Sequence, residues 1–264
     1  MIPTKKNVPT VPIQPDEIID QVGDAIELGI TMVHIHAKDK YGKNTYDNKV
    51  FEKIISGIRD IDSNIVICAT TSGREYKSFA ERSSVLELSG KSKPDMASLT
   101  LSSLNFNKQA SINEPEMIIN LAEKMKKNKI IPELEIFDLG MTNMANYLIN
   151  KKIVPKKSYA NIILGNISCS QADFLSLGAI ISNLPKTTQY AIGGVGKTQL
   201  KANTMGIIDG SGVRVGLEDN YWFDDKRNLI ASNLMLLQRV HNLLQIHEKK
   251  IMKPLKLRKY LNNF

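Results

Sequence analysis

The sequence predicts an α/β protein built as a (β/α)8 barrel (a TIM barrel) that lacks its first strand in this chain. Three observations point there. Segments of strand and helix character alternate along all 264 residues, which implies parallel strands with helical crossovers. Seven strands are legible and the first regular element is a helix, whereas such a barrel has eight strands and begins with one. The polar residues of the strands recur on one face, as they do where a barrel gathers its functional groups. A doubly wound sheet is the competing architecture, but no glycine-rich fingerprint follows an early strand. No linker or change in composition divides the chain, so one domain over residues 1–264 is expected.

The elements follow in order. Residues 15–29, PDEIIDQVGDAIELG, read as a helix: Pro15 suits the first turn, Ile18, Ile19, Val22 and Ile26 recur at helical spacing, and Gly29 ends it. ITMVHIH is the first strand, followed by helix 47–61 and strand NIVICAT. A helix near 75–88 leads to strand DMASL, and helix 114–127 leads to IIPELEIF. A helix near 141–151, strand YANIILG, helix 171–183 and strand TQYAIGG continue the alternation. A short helix near 198–206, strand SGVRVGL and a long helix over 227–247 complete it.

Composition narrows the function. Hydrophobic residues make up 42% and charged residues 23%, which is ordinary for a soluble protein with a real core. No apolar run reaches the length of a membrane span, and MIPTKKNVPTVP lacks the apolar centre of a signal peptide. Two distant cysteines, Cys68 and Cys169, do not make a disulfide scaffold, so a reducing cytoplasm is expected. The net charge of +8 raises nucleic acid as a partner, but the lysines are dispersed at helix ends and loops. Aromatics are only 6%, without the aromatic-basic interleaving that stacks bases. Neither nucleic acid nor membrane is therefore expected as a partner.

Strand alternation then selects inward residues. In MVHIHA, Val33 and Ile35 face one way, His34 and His36 the other. In PELEIF, Leu134 and Ile136 pack outward, turning Glu133 and Glu135 inward. In the last strand Val213, Val215 and Leu217 share one face, leaving Arg214, Gly216 and Glu218 on the other. Thr70 and Ser98 end two further strands. Two imidazoles side by side plus a carboxylate from another strand end make a two-histidine, one-carboxylate metal site, with Glu218 as the carboxylate. The other reading of His34 and His36 is a pair of hydrogen-bonded core histidines. His241 and His247 lie on the last helix, facing solvent or packing.

At HIHAKD, PELEIFD-G and GVRVGLEDN the chain resembles the β-keto acid cleavage enzymes. The resemblance runs nearly end to end, through TTSG, DMASLTLSSLNF and AIGGVGK. It implies a zinc-dependent TIM barrel that converts a β-keto acid and acetyl-CoA into acetoacetate and a new acyl-CoA. Carried over by motif, the zinc ligands are His34, His36 and Glu218, and the catalytic pair is Arg214 and Asp219. The substrate carboxylate falls to Thr70, Gly73 and Ser98, and the substrate tail to Glu135. The resemblance also implies a homo-oligomer, a tetramer. GGVGKT is not a phosphate loop of the Walker type, because Ala191 stands where the first glycine is needed. Glycines opening a helix after a late barrel strand still suit a phosphate, so Gly194, Gly196 and Lys197 are candidates for holding CoA. A plain turn with a helix cap is the alternative there.

The chain departs from the family in three places. A first strand bearing a glutamate precedes the proline-rich segment in the family, whereas this chain begins at MIPTKKNVP, so an open barrel is expected. Lys38 stands where arginine is frequent, and GNISCSQAD replaces a glycine-rich loop. A catalytically impaired relative that binds metal or ligand without turnover is the second hypothesis. A barrel hydrolase of the amidohydrolase type would need further histidines at later strand ends, and a nucleic-acid binder would need a concentrated basic face.

Overall fold

The computed structural model describes residues 3–261. Eight strands and nine helices are found there: α1 (Pro15–Leu28), β1 (Met32–Ile35), α2 (Asn48–Ile61), β2 (Val66–Ala69), α3 (Phe79–Ser83), β3 (Met96–Thr100), β4 (Leu104–Asn105), β5 (Ala110–Ser111), α4 (Pro115–Lys127), β6 (Ile131–Ile136), α5 (Leu139–Asn150), β7 (Ser158–Leu164), α6 (Phe174–Asn183), β8 (Thr188–Gly194), α7 (Gln199–Asp209), α8 (Asn233–Ile246) and α9 (Pro254–Leu261). Six strands form one curled parallel sheet in the order β1-β2-β3-β6-β7-β8, and β4 and β5 form a separate antiparallel hairpin.

Local chemistry sets the helix ends. Glu17 accepts the amides of Ile13 and Gln14 at 2.8 and 3.0 Å, satisfying donors that α1 cannot use. Gly29 closes α1 at φ 106°, donating to the carbonyls of Ala25 and Ile26. Asp47, Asp138, Asp173 and Ser232 cap α2, α5, α6 and α8 through their side-chain oxygens.

The sheet separates two apolar layers. Outward residues such as Ile35, Ile67, Leu134 and Ile162 pack with Ile54, Ile58, Leu121 and Leu148 of the helices. Inward, Val66, Cys68, Met96, Ile131, Tyr159 and Ala191 form a second layer, closed from below by Leu257 and Leu261 of α9. Asp95, just before β3, fastens α9: it receives Arg258 at 2.6 and 2.7 Å and also pairs with Arg59.

Several expectations are corrected. Six strands enter the sheet, not seven, so among the described residues the parallel sheet is a curled half-barrel. Segment 211–217 pairs with β8 through an isolated bridge at Val213 and forms no continuous ladder with it. Side chains take three of its other backbone groups: Asn203 donates to the Arg214 carbonyl, Gln199 to that of Gly216, and Asn233 accepts from Leu217 N–H. The helix expected near 75–88 shrinks to the five residues of α3 followed by a 3-10 turn at Ser84–Glu87. Helix α8 begins at Asn233 instead of 227, because Arg227 has φ 60° and Asp224 captures the amides of Asn228 and Leu229. The hairpin β4–β5 and helix α9 had no counterpart in the sequence reading.

Candidate active site

The parallel register carries the polar residues to one end of the sheet. His34 lies opposite Cys68, Ser98 opposite Glu133, and Glu135 opposite Asn161. Because alternate residues share a face, His34, Glu133 and Glu135 all point into the curl. His36 follows β1, and Glu218 and Asp219 follow the bridged segment.

The candidate metal ligands come together. One atom each from His34, His36 and Glu218 lies within 4.8 Å of the others. His36 Nε2 stands 3.0 Å from Glu218 Oε1 but is not aligned for a hydrogen bond, and it has no hydrogen-bond partner although buried. A buried nitrogen facing a carboxylate oxygen without a bond between them suits two ligands of one cation, so the residues present fit a metal. His34, Cys68 and Glu133 satisfy the same distance criterion. Their atoms are already engaged: His34 Nδ1 lies 2.6 Å from Glu133 Oε2, and the Cys68 thiol donates to that oxygen. Burial pushes the Cys68 thiol well above its usual range, and the Glu133 charge pushes it further.

Arg214 is the electrostatic hub. Its Nε donates to Asp219 Oδ2 at 2.9 Å and its Nη2 to Glu218 Oε2 at 3.0 Å, while Nη1 reaches Glu135 Oε1 at 3.5 Å. Burial opposes its charge, but Asp219, Glu218 and Glu135 raise its pKa well beyond the ordinary value. Burial likewise works against the Glu218 carboxylate, and the charges of His36 and Arg214 overcome it and hold its pKa well below normal. For Glu133, burial is again outweighed, by the His34 interaction first, and its pKa falls to about 2.

The residues assigned to substrate divide into two groups. Thr70 and Glu135 line the same recess as His34, His36 and Glu218. Glu135 also accepts from Thr100 Oγ1 at 2.6 Å. Ser98 is buried beside the turn that follows Thr70: its oxygen accepts the Thr71 amide at 3.0 Å, which leaves its O–H free to donate. Gly73 is buried beside Arg82 and the Ile112 carbonyl, where a Cβ would meet both at 2.7 Å. At the far loop, Gly194 packs so closely on α7 that a Cβ would fall 2.8 Å from the Thr198 carbonyl. Gly196, at φ 61°, spends its amide on the Asp219 carbonyl at 2.8 Å. Lys197 beside it is exposed.

Three residues escaped the sequence reading. Arg74 lies 3.3 Å from Glu218 Oε1, with its guanidinium 4.3 Å from the Phe106 ring centroid. It sits in a loop, where no periodicity points a side chain. Asn161 donates to Glu133 Oε1 at 2.6 Å. Its inward position on β7 was available from alternation with Ala160 and Ile162. Glu133 was read as inward but given no role.

A curled parallel sheet that collects two imidazoles, four carboxylates and a buried arginine at its carboxyl end defines an enzyme of the barrel-derived α/β class. The chain belongs to the β-keto acid cleavage enzyme family, whose sequence profile matches residues 1–262. It is 29% identical over 262 residues to the 3-keto-5-aminohexanoate cleavage enzyme of Acetoanaerobium sticklandii, covering 98% of this chain and 93% of that one. It is 30% identical over 242 residues to the 3-oxoadipate:acetyl-CoA acetyltransferase of Cupriavidus necator, covering 90% and 83%. Among solved structures, the complex of ObcA with oxaloacetate shares the fold with a TM-score of 0.84, at 16% identity, over 96% of this chain and 67% of that one.

Proposed function

We propose that the protein converts a β-keto acid and acetyl-CoA into acetoacetate and a new acyl-CoA. The observation that carries this is the juxtaposition of the His34–His36–Glu218 cluster with the Arg214–Asp219 pair in one recess. Relatives named for acetyl-CoA-dependent transfer, including the 3,5-dioxohexanoate:acetyl-CoA acetone transferase of Paraburkholderia graminis, support it.

In this reading His34, His36 and Glu218 hold zinc, which would supply Lewis acidity toward the β-keto oxygen. Thr70, the Gly73 amide and Ser98 receive the substrate carboxylate, and the Ser98 oxygen also holds the turn by accepting the Thr71 amide. Arg74 adds positive charge beside that carboxylate. Asp219, oriented by Arg214, removes the acidic proton of the α-carbon. The carbanion attacks the acetyl thioester and CoA departs as the thiolate. The thiolate attacks the original ketone, the carbon–carbon bond breaks to give the new acyl-CoA, and the acetoacetate enolate released takes back the proton held by Asp219. Glu135 faces the substrate tail. Gly194, Gly196 and Lys197 are the candidates for holding CoA, with Lys197 supplying an exposed charge for a phosphate. We take residues 1–264 as one domain acting in a reducing cytoplasm as a homo-oligomer, a tetramer. Both cysteines are free, and among the described residues no helix is long and apolar enough to cross a membrane.

The test is acetoacetate release from a panel of β-keto acids with acetyl-CoA and zinc. Turnover that needs both co-substrates is expected. Zinc binding without acetoacetate from any acid overturns the reading in favour of a ligand-binding relative.

A further inference from the structure

His34 belongs to both clusters that could hold a metal, and its two ring nitrogens decide between them. Nδ1 is committed. It faces Glu133 Oε2 at 2.6 Å, with the two side chains only 12% and 1% exposed. Strands β1 and β6 are not neighbours in the sheet, so this contact crosses the interior of the curl.

Glu133 is itself held on every side. Asn161 Nδ2 donates to its other oxygen at 2.6 Å, and Asn161 Oδ1 in turn accepts from the Tyr159 hydroxyl at 3.3 Å. The Cys68 thiol donates to Oε2 at 3.2 Å. Both Glu133 oxygens already accept, from Asn161 and from Cys68, so in the 2.6 Å contact the proton is placed on His34 Nδ1, and the lone pair that a metal would use is on Nε2. Using the His34–Cys68–Glu133 cluster would strip that proton, ionise a fully buried thiol and break these bonds together. Using His34–His36–Glu218 breaks none of them, and it engages His36 Nε2, which makes no aligned hydrogen bond to the Glu218 oxygen 3.0 Å away.

We infer that Glu133 is a positioning residue that fixes His34 as its Nδ1–H tautomer and thereby selects His34, His36 and Glu218 as the metal ligands. The inference rests on the function proposed above. A carboxylate on the far nitrogen of a ligating histidine orients the ring and raises its basicity, and losing such a partner weakens metal binding by about 10- to 100-fold.

The experiment measures the zinc dissociation constant by competition with a chelating dye, for the full-length wild type, Glu133→Gln and Cys68→Ala. Glu133→Gln keeps the shape and removes the charge; about 10- to 100-fold weaker binding is expected, with Cys68→Ala binding as the wild type does. Asn161→Ala, which loosens Glu133 without touching His34, is expected to weaken binding in the same direction and serves if Glu133→Gln does not fold. Nitrogen-15 imidazole spectra of the zinc-loaded wild type should show His34 protonated on Nδ1. Equal affinity in Glu133→Gln and wild type overturns the inference. So does a thiolate-to-metal absorption band in the cobalt form that Cys68→Ala abolishes. A wild type that binds no metal overturns the proposed function itself, an outcome separate from either of these.

Discussion

Arg214 Nε donates to Asp219 Oδ2 at 2.9 Å, although only five residues separate them, so the cation and the proposed base act as one rigid unit. Asp219→Asn keeps that geometry and removes the basicity. We expect turnover to fall by about 10²- to 10⁴-fold, with substrate affinity and zinc content nearly unchanged. Steady-state kinetics with metal analysis checks this; a variant with full turnover would move the base elsewhere.

Metal removal should be felt as both lost activity and lost stability. At about a hundredfold excess over its dissociation constant, a metal that binds only the folded protein contributes about 2.7 kcal/mol. A chelator should therefore abolish acetoacetate release and lower Tm, and added zinc should restore both. His36→Ala should show the chelated Tm with or without zinc.

The two thiols should differ in reactivity. Cys68 is fully buried and its thiol is held neutral by burial and by Glu133; Cys169 is half-buried, in the loop after β7, and burial raises its pKa less. Iodoacetamide should label Cys169 slowly in the native protein and Cys68 only after denaturation. Mass spectrometry resolves the two, and rapid native labelling of Cys68 would contradict the packing.

Asp95 carries two guanidiniums and accepts the Ile67 amide at 2.8 Å. Asp95→Asn leaves Arg59 and Arg258 without their counter-charge. We expect a loss of about 2–3 kcal/mol in urea unfolding, the scale of a lost charged hydrogen bond in a half-buried site. Little loss would mean that Leu257 and Leu261 hold α9 without this clamp.

Glu17 should give a small acid-dependent contribution. Its pKa is depressed to about 2, by Lys5 first and then by the amides of Ile13 and Gln14. A depressed folded-state pKa means stability that is present above the unfolded value of 4.5 and lost as pH falls towards 2. The carboxylate is 40% exposed, so solvent screening limits the effect to about 0.5 kcal/mol. Glu17→Gln should be less stable than wild type at pH 6 by roughly that amount, and the difference should disappear as pH falls below about 2.

What could be read from the sequence follows from what repeats. Strand alternation alone turns His34, Glu133, Glu135 and Arg214 inward, because a period of two leaves no other arrangement once Ile35, Leu134 and Ile136 are buried. At 211–217 it oriented Arg214 but implied a strand, whereas Asn203, Gln199 and Asn233 take backbone groups that a ladder would have used. It was silent on Arg74, whose loop has no period. It named Glu133 as inward without a role, because only the distance across the curl to His34 reveals one. The pattern near 75–88 overran because Arg82 turns inward to the Thr71 carbonyl and Asn113, and Ser84 bonds to the Tyr46 carbonyl. These are tertiary ties that local propensity does not contain.

The floor formed by α9 has a consequence for biosynthesis. Every strand leaves the ribosome before residues 254–261 do. Until then the inner row of Val66, Met96, Tyr159 and Ala191 has no cover from Leu257 and Leu261. A nascent chain that has completed its sheet is therefore still sticky on the inside, and this interval is when chaperones would matter most.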